Sequence, residues 1–326
     1  MRGMAWMVLV LTGLAGPALA AAPSEEAVQG LYEGVRKDAA GGHRFEARVV
    51  AWGDAAYKIF IREQAAGGQV AKSTLDGKTE GDAVRFAGKI GDGDWTAAYA
   101  DGAIKGAGPG GGAIEMKRVI RTPPTLGAKP PAGAVVILGM DGKNFDEAVK
   151  RKDKEGKEPE WTIVQGGAIV VPKGGFTSKR TFDGSLKFHV EFKCPLRSKE
   201  RGQGRGNSGV FVPNGQEIQV LDSFGMTTYT GGGCGGLYKY KDPDAFDEFS
   251  LASLPPLEWQ TYDIEYKVEK KGGKPTGKVF LTVYHNGSKI HDNHEMQKPA
   301  KAGAFSFQDH GNPVEYRNIW VQPLPD

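Results

Sequence analysis

The sequence predicts an all-β protein, in which a smaller antiparallel β-domain is followed, across a proline-rich linker, by a large jelly-roll sandwich. Three observations carry this prediction. Apolar and polar residues alternate in SLKFHVEFKC (185–194) and TYDIEYKV (261–268), the period of a half-buried strand. Asn286-Gly287 stands between two strand-like runs, and both residues tolerate the positive φ of a tight hairpin. The 48 glycines follow no three-residue period, and no segment of useful length has a helical repeat, so turns and strands must absorb them.

At the N-terminus, Arg2 precedes an apolar stretch from Met4 to Leu14, and Ala18-Leu19-Ala20 precedes Ala21-Ala22-Pro23. This is the pattern of a secretory signal peptide over residues 1–20, too short to span a bilayer and with small residues where a signal peptidase cuts. Cleavage would leave about 306 residues, secreted or periplasmic and with no membrane insertion. An uncleaved anchor is the alternative.

The first domain, 24–120, opens on a hairpin. RFEARVVAW (44–52) and AYKIFIRE (56–63) flank Gly53-Asp54 and alternate as paired strands do. Further strands are expected at 69–75, 83–90, 94–99 and 113–119, and no chemistry is visible among them. Residues 121–133 hold four prolines and no hydrophobic period, which marks a stiff linker.

The second domain, 134–326, has the stronger alternation. Leu186, Phe188, Val190 and Phe192 are expected to face a core, leaving Lys187, His189, Glu191 and Lys193 in water. Tyr262, Ile264, Tyr266 and Val268 repeat the pattern, and a helical turn is expected only around Phe145 to Val149. The two cysteines, Cys194 and Cys234, could form one disulfide in an oxidising compartment or remain buried thiols. With 42 basic and 39 acidic residues the net charge is +3, and no long basic run supplies the footprint of a nucleic-acid binder. Nor does a G-x-G-x-x-G open a βαβ unit, so no nucleotide cofactor is implied.

The densest block of chemistry is RGQGRGNSGVFVPNGQEIQVLDSFG, residues 201–225. A glycine–arginine loop leads into a strand at Val210, a turn at Pro213-Asn214-Gly215 and a return strand from Glu217 to Leu221. On that strand Glu217 and Gln219 share one face, Ile218 and Val220 the other. Asp222 would join Glu217 only through a β-bulge after Gln219. Carboxylates on a sandwich face suit acid–base or nucleophilic work on sugars, or else form a solvated polar face. Asn207 and Ser208 read as loop hydrogen-bonders. FSFQDHGNPVEYRNIWV (305–321) adds Gln308, His310 and Arg317, with His310 a base or a metal ligand, or a structural turn residue. Sugars dock their C–H faces on rings, and Tyr238, after the glycine run GGGCGG, is the best placed of Tyr229, Tyr238, Tyr240, Trp161 and Trp259. Core packing is the expectation for Trp161, Trp259 and Trp320.

The ordered series DGKNFDEAV, WTIVQGGA, RGNSGVF, EIQVLDSFG, CGGLY, EWQTYDI, VYHNG and FQDHGNPVEYRNIWV resembles the DUF1080, or 3-keto-disaccharide hydrolase, family over roughly residues 134–324. The resemblance implies a concanavalin-like jelly roll acting on glycosides oxidised to a ketone at C3. The carbonyl acidifies the C2 hydrogen, so a base can remove it, the C1 oxygen can depart and water can add back. It implies Glu217, His310 and Asp222 as catalytic candidates, with Asn207, Ser208, Gln219, Tyr238, Gln308 and Arg317 orienting the carbohydrate substrate. A divalent metal near Glu217 and His310 is an open candidate, and a separate oxidoreductase must make the keto-sugar. Retaining glycosidases of similar fold carry E-x-D-x-x-E, which here reads Glu217-Ile218-Gln219-Val220-Leu221-Asp222, ranking direct double displacement lower. The remaining alternative is a non-catalytic glycan-binding module.

Overall fold

A computed structural model describes residues 21–38, 41–64, 70–152, 154–244 and 252–325. The expected signal peptide lies outside these residues. After a single helical turn, Glu25–Val28, capped by the Ser24 side chain, eight strands follow: β1 (Gly30–Asp38), β2 (Gly41–Gly53), β3 (Ala56–Gln64), β4 (Val70–Glu80), β5 (Ala83–Ile90), β6 (Gly93–Ala100), β7 (Ala103–Ala107) and β8 (Ala113–Val119). Each pairs antiparallel with the next, and β8 returns to β1, so the first domain is a closed barrel. Closure removes both sheet edges. Tyr32, Phe45, Ile59, Ile61, Leu75, Phe86 and Met116 belong to its buried core. The sequence anticipates six of the eight strands. It misses β1, whose run GLYEGVRKD is broken by two glycines, and β7, only five residues with an inner glycine.

The second domain is a two-sheet sandwich, the expected jelly-roll architecture. Its strands are β9 (Val135–Leu138), β10 (Ala148–Lys150), β11 (Thr162–Ile163), β12 (Ile169–Val170), β13 (Phe176–Ser178), β14 (Leu186–Lys193), β15 (Ser208–Phe211), β16 (Glu217–Val220), β17 (Gln260–Lys271), β18 (Lys274–His285), β19 (Ser288–Glu295), β20 (Ser306–Phe307) and β21 (Glu315–Pro323). The large sheet runs β11-β12-β21-β14-β17-β18-β19, with β9 beside β21; the small sheet runs β10-β13-β20-β15-β16. Asn286 and Gly287 take positive φ between β18 and β19, as the hairpin signal requires. The inward faces meet in one core. Phe188 stacks on Phe305 at 4.2 Å between ring centroids, and Phe176 on Phe307 at 4.3 Å. Cys194 and Cys234 are free buried thiols in this core, and burial pushes both thiol pKa values up.

The proline-rich segment is more than a spacer. Arg121 pairs with Glu33 and Glu46 of the barrel, at 2.8 and 2.7 Å. Beyond it, Thr125 donates to Asp263, the Gly127 N–H donates to Glu191, and the Ala128 carbonyl accepts from Asn318 and Trp320. The middle of the outward face of β14 is therefore covered, while Lys187 at its start stays exposed. His189 and Glu191, expected in water, are fully buried beneath the segment. Alternation reports which residues share a face; it cannot report that another segment lies over that face.

The two domains also touch directly. Leu31 and Val50 of the barrel bury Phe224 of the sandwich, and the Arg48 guanidinium lies 4.9 Å from the Phe224 ring centroid. Arg48 donates to the Ser253 carbonyl.

Candidate active site

The β15–β16 hairpin forms as the sequence expects. Ile218 and Val220 enter the core, which turns Glu217 and Gln219 to the outward face of the small sheet. Residues 235–238 extend this sheet beyond β16. Gln219 N donates to Gly236 O, and Tyr238 N donates to Glu217 O at 3.1 Å, about an Ile218–Leu237 bridge. On the other side Gln308 N donates to Gly209 O. Cross-strand register therefore sets Tyr238, Glu217, Phe211 and Ser306 in one row, with Gly236, Gln219, Gly209 and Gln308 in the next.

Gly209 in the second row makes room for Glu217. A Cβ on Gly209 would stand 2.2 Å from Glu217 Oε1, so the carboxyl lies over the bare backbone of β15. Any larger residue at 209 would displace it. Glu217 is buried, and none of the described residues hydrogen-bonds to its carboxyl. Burial pushes its pKa up to about 7, with the Lys298 ammonium partly offsetting the rise. A carboxyl that keeps its proton until near neutrality, with no structural partner, is suited to proton transfer.

A network of amides borders it. Gln203 Oε1 accepts from Asn207 Nδ2 at 3.0 Å and from Gln219 Nε2 at 2.8 Å. Its own Nε2 donates to Gly232 O and Thr228 Oγ1. Asn207 Oδ1 is buried without a partner among the described residues, an acceptor left for something else. The Tyr229 and Tyr238 hydroxyls share a hydrogen bond of 2.9 Å with their rings edge to face. Burial and the Tyr238 hydrogen bond raise the Tyr229 phenol to about 12, so it stays protonated and can donate.

The structure thus gathers Glu217, Asn207, Gln219, Tyr238 and Gln308. The other expected residues lie elsewhere. The β16 register has no bulge, and Asp222 turns away into a fully buried ion pair with Arg205, at 2.6 and 2.9 Å. Ser208 faces the core, donating to Gln308 O and accepting from the Tyr316 hydroxyl. His310 is exposed in the turn before β21, its backbone carbonyl accepting from Asn312. Arg317 belongs to the large sheet, where it pairs with Glu191 and stacks on Trp259 at 4.0 Å. That stack and Lys193, 5.1 Å from the same ring centroid, occupy Trp259, so it offers no sugar platform. No cluster of three or more His, Cys, Asp or Glu side chains is poised to hold a metal among the described residues, and Glu217 with His310 does not make one. Sequence reasoning missed Gln203. Its one signal was a single amide side chain inside the loop RGQGRG.

The model of the family described as the 3-keto-alpha-glucoside-1,2-lyase-like domain matches residues 134–322, which contain every residue of this site. Among solved structures, the chain is similar to a candidate glycosyl hydrolase from Parabacteroides distasonis ATCC 8503, at 30% identity over 60% of this chain and 85% of that one, with a TM-score of 0.48. It is also similar to alginate lyase vAL-1 from a Chlorella virus, at 13% identity over 52% and 90%, with a TM-score of 0.30. No curated protein matches it.

Proposed function

The chain belongs to the 3-keto-alpha-glucoside-1,2-lyase-like family, and from that premise we propose that its jelly roll cleaves 3-keto-glycosides by elimination and rehydration. The observation that carries this reading is Glu217, a buried carboxyl with no hydrogen-bond partner among the described residues and a pKa raised to about 7. As carboxylate it takes the C2 proton; the C–H electrons form the C2–C3 double bond, and the C3 carbonyl oxygen becomes an enolate. The enolate then collapses: the oxygen's electrons re-form the C3 carbonyl, the C2–C3 double-bond pair shifts to C1=C2, and the C1–O bond breaks, its electrons leaving with the departing oxygen, which takes a proton. Water adds across C1=C2 of this enone, hydroxyl to C1 and hydrogen to C2, so the 3-keto-sugar results and the net change is hydrolysis.

The remaining residues orient and donate. The protonated Tyr229 hydroxyl, paired with Tyr238, offers a donor and a ring face to the sugar. The unpartnered Asn207 Oδ1 accepts from a sugar hydroxyl, and the Gln308 amide, one row from Glu217, faces the developing enolate. A retaining double displacement would need a second free carboxyl beside Glu217, and Asp222 is committed to Arg205. In this reading the protein is exported to the periplasm or the medium, and a separate oxidoreductase supplies the ketone.

The test is proton NMR in D₂O of methyl 3-keto-α-glucoside and its unoxidised parent incubated with the protein, with and without EDTA. Cleavage of the keto compound alone, with deuterium entering at C2, is expected. Cleavage of the parent would overturn the elimination in favour of a conventional glycosidase, and binding without cleavage of either would favour a glycan-binding module.

A further inference from the structure

Both loops that wall the Glu217 site rest on the barrel. The first spans residues 197–205. Arg201 donates to the Trp52 carbonyl at 2.5 Å and Arg205 to the Ala51 carbonyl at 3.5 Å, two successive acceptors near the end of β2. Between these arginines stands Gln203, the amide that joins Asn207, Gln219, Thr228 and Gly232. The Arg201 guanidinium also stacks over the Trp52 ring at 4.1 Å, and Trp52 leans on Phe60 of β3. At the hairpin tip, Asp54 pairs with Lys199 at 2.6 Å, and a Cβ on Gly53 would stand 2.9 Å from the Lys199 backbone.

The second loop, 222–232, carries Thr228, Tyr229 and Gly232. Phe224 is buried between Leu31 and Val50. Gly225 takes φ +67° and presses on the barrel so closely that a Cβ would stand 2.4 Å from Val50 and 3.0 Å from Phe60. One barrel surface, built from β1, β2 and β3, thus fixes where both loops begin to rise around the site.

We propose that the barrel is a positioning element for the Glu217 site: through Trp52 and Arg201 it holds the loop that presents Gln203 to Asn207 and Gln219. This rests on the reading of Glu217 as the catalytic base. Neither Trp52 nor Arg201 touches substrate; each acts through Gln203. Because misplacing a binding group by about 1 Å can cost on the order of a hundredfold, a loosened Gln203 loop has a measurable effect.

The experiment uses the full chain, comparing wild type with Trp52→Ala, Trp52→Phe and Arg201→Gln. Steady-state kinetics on methyl 3-keto-α-glucoside are read beside amide hydrogen exchange over 199–207 and 226–235. For Trp52→Ala and Arg201→Gln, KM is expected to rise about tenfold with a smaller fall in kcat, with exchange faster in both segments and unchanged in β17 and β18. Trp52→Phe, which keeps a ring under Arg201, is expected to recover most of the loss. Arg201 is exposed, so its variant keeps the test open if Trp52→Ala does not fold. Wild-type KM and kcat in Arg201→Gln would overturn the proposal, as would faster exchange without a kinetic change. If the wild-type protein leaves the keto-glucoside intact, the elimination reading fails by itself. The exchange data then decide the coupling: faster exchange in the site loops upholds it, and unchanged exchange sinks it.

Discussion

Glu191 and Glu217 lie on the outward faces of opposite sheets and both are buried, yet their carboxyls titrate in opposite directions. Glu191 has partners on every side: Arg317 Nε at 2.7 Å, Gly127 N at 2.6 Å, Asn318 Nδ2 at 2.8 Å and the His189 ring at 3.5 Å. Burial works to raise its pKa, but these partners together overcome it and hold it down at about 2. Glu217 has the burial without a hydrogen-bond partner among the described residues, and its pKa rises to about 7. Desolvation alone therefore does not mark a functional carboxylate. What separates the two is whether the fold satisfies the charge: His189, Asn318 and Arg317 of the large sheet together with Gly127 of the linker do so for Glu191, and no described residue hydrogen-bonds to Glu217.

The largest expected effect falls on catalysis at the unpartnered site. Glu217→Gln removes the proposed base while keeping its shape, and kcat on the keto-glucoside is expected to fall by about 10³-fold. In the wild type, kcat/KM should rise with pH through a limb near 7, as the carboxyl ionises. Stability moves the other way. A folded pKa of about 7 above the ordinary 4.5 means the folded state holds this proton more tightly, so stability falls as pH rises from 4.5 to 7, by on the order of 3 kcal/mol. Thermal melts at pH 5 and pH 8 should show a smaller difference for Glu217→Gln than for wild type. An unchanged pH–rate limb in a variant that retains activity would remove Glu217 from the mechanism.

The partnered carboxyl should show the reverse. Glu191→Gln leaves Arg317 and His189 facing a neutral amide in a buried cluster, and a loss of about 3–5 kcal/mol in folding stability is expected with kcat per folded molecule unchanged. Here the folded pKa of about 2 lies below 4.5, so the wild-type stabilisation is complete above pH 4.5 and is lost as pH falls toward 2. Denaturant titrations at pH 3 and pH 7 should therefore converge for wild type and variant at the lower pH. If Glu191→Gln instead lowers kcat at full stability, the contrast between a structural and a functional carboxylate fails.

What the sequence disclosed divides along the same line. β5 matches the expected 83–90 residue for residue, and the inward faces of β14 and β17 are the expected ones, because a local period of two is enough to specify them. The shared face of Glu217 and Gln219 follows from the same period. The partners of Glu191 did not, since they come from Gly127 and Arg317, far away in the chain. Asp222 failed for a related reason. A carboxylate five residues along a strand can be brought round by a bulge, but the chain instead leaves the strand and pairs Asp222 with Arg205, which also reaches the barrel. Gln203 was hidden because its importance lies in four hydrogen bonds across two loops and a strand, and no spacing announces them.

The smallest expected effect is at His310, and it sharpens the comparison by removing a rival base. A histidine ahead of a terminal strand has the right chemistry near neutral pH, but its side chain here is exposed in a turn, whereas the Glu217 carboxyl lies buried over Gly209. Its neighbours explain the turn without it: Asp309 accepts from Gly174 N and Gly311 N, and Asn312 donates to the His310 carbonyl. The side chain carries none of these bonds. His310→Ala is therefore expected to keep kcat and KM within about twofold and stability within about 0.5 kcal/mol, the range of an exposed substitution. Rates on the keto-glucoside and a thermal melt check both. A hundredfold loss of kcat in this variant would mean that the base is the exposed histidine, and that the buried, unpartnered carboxyl of Glu217 serves another end.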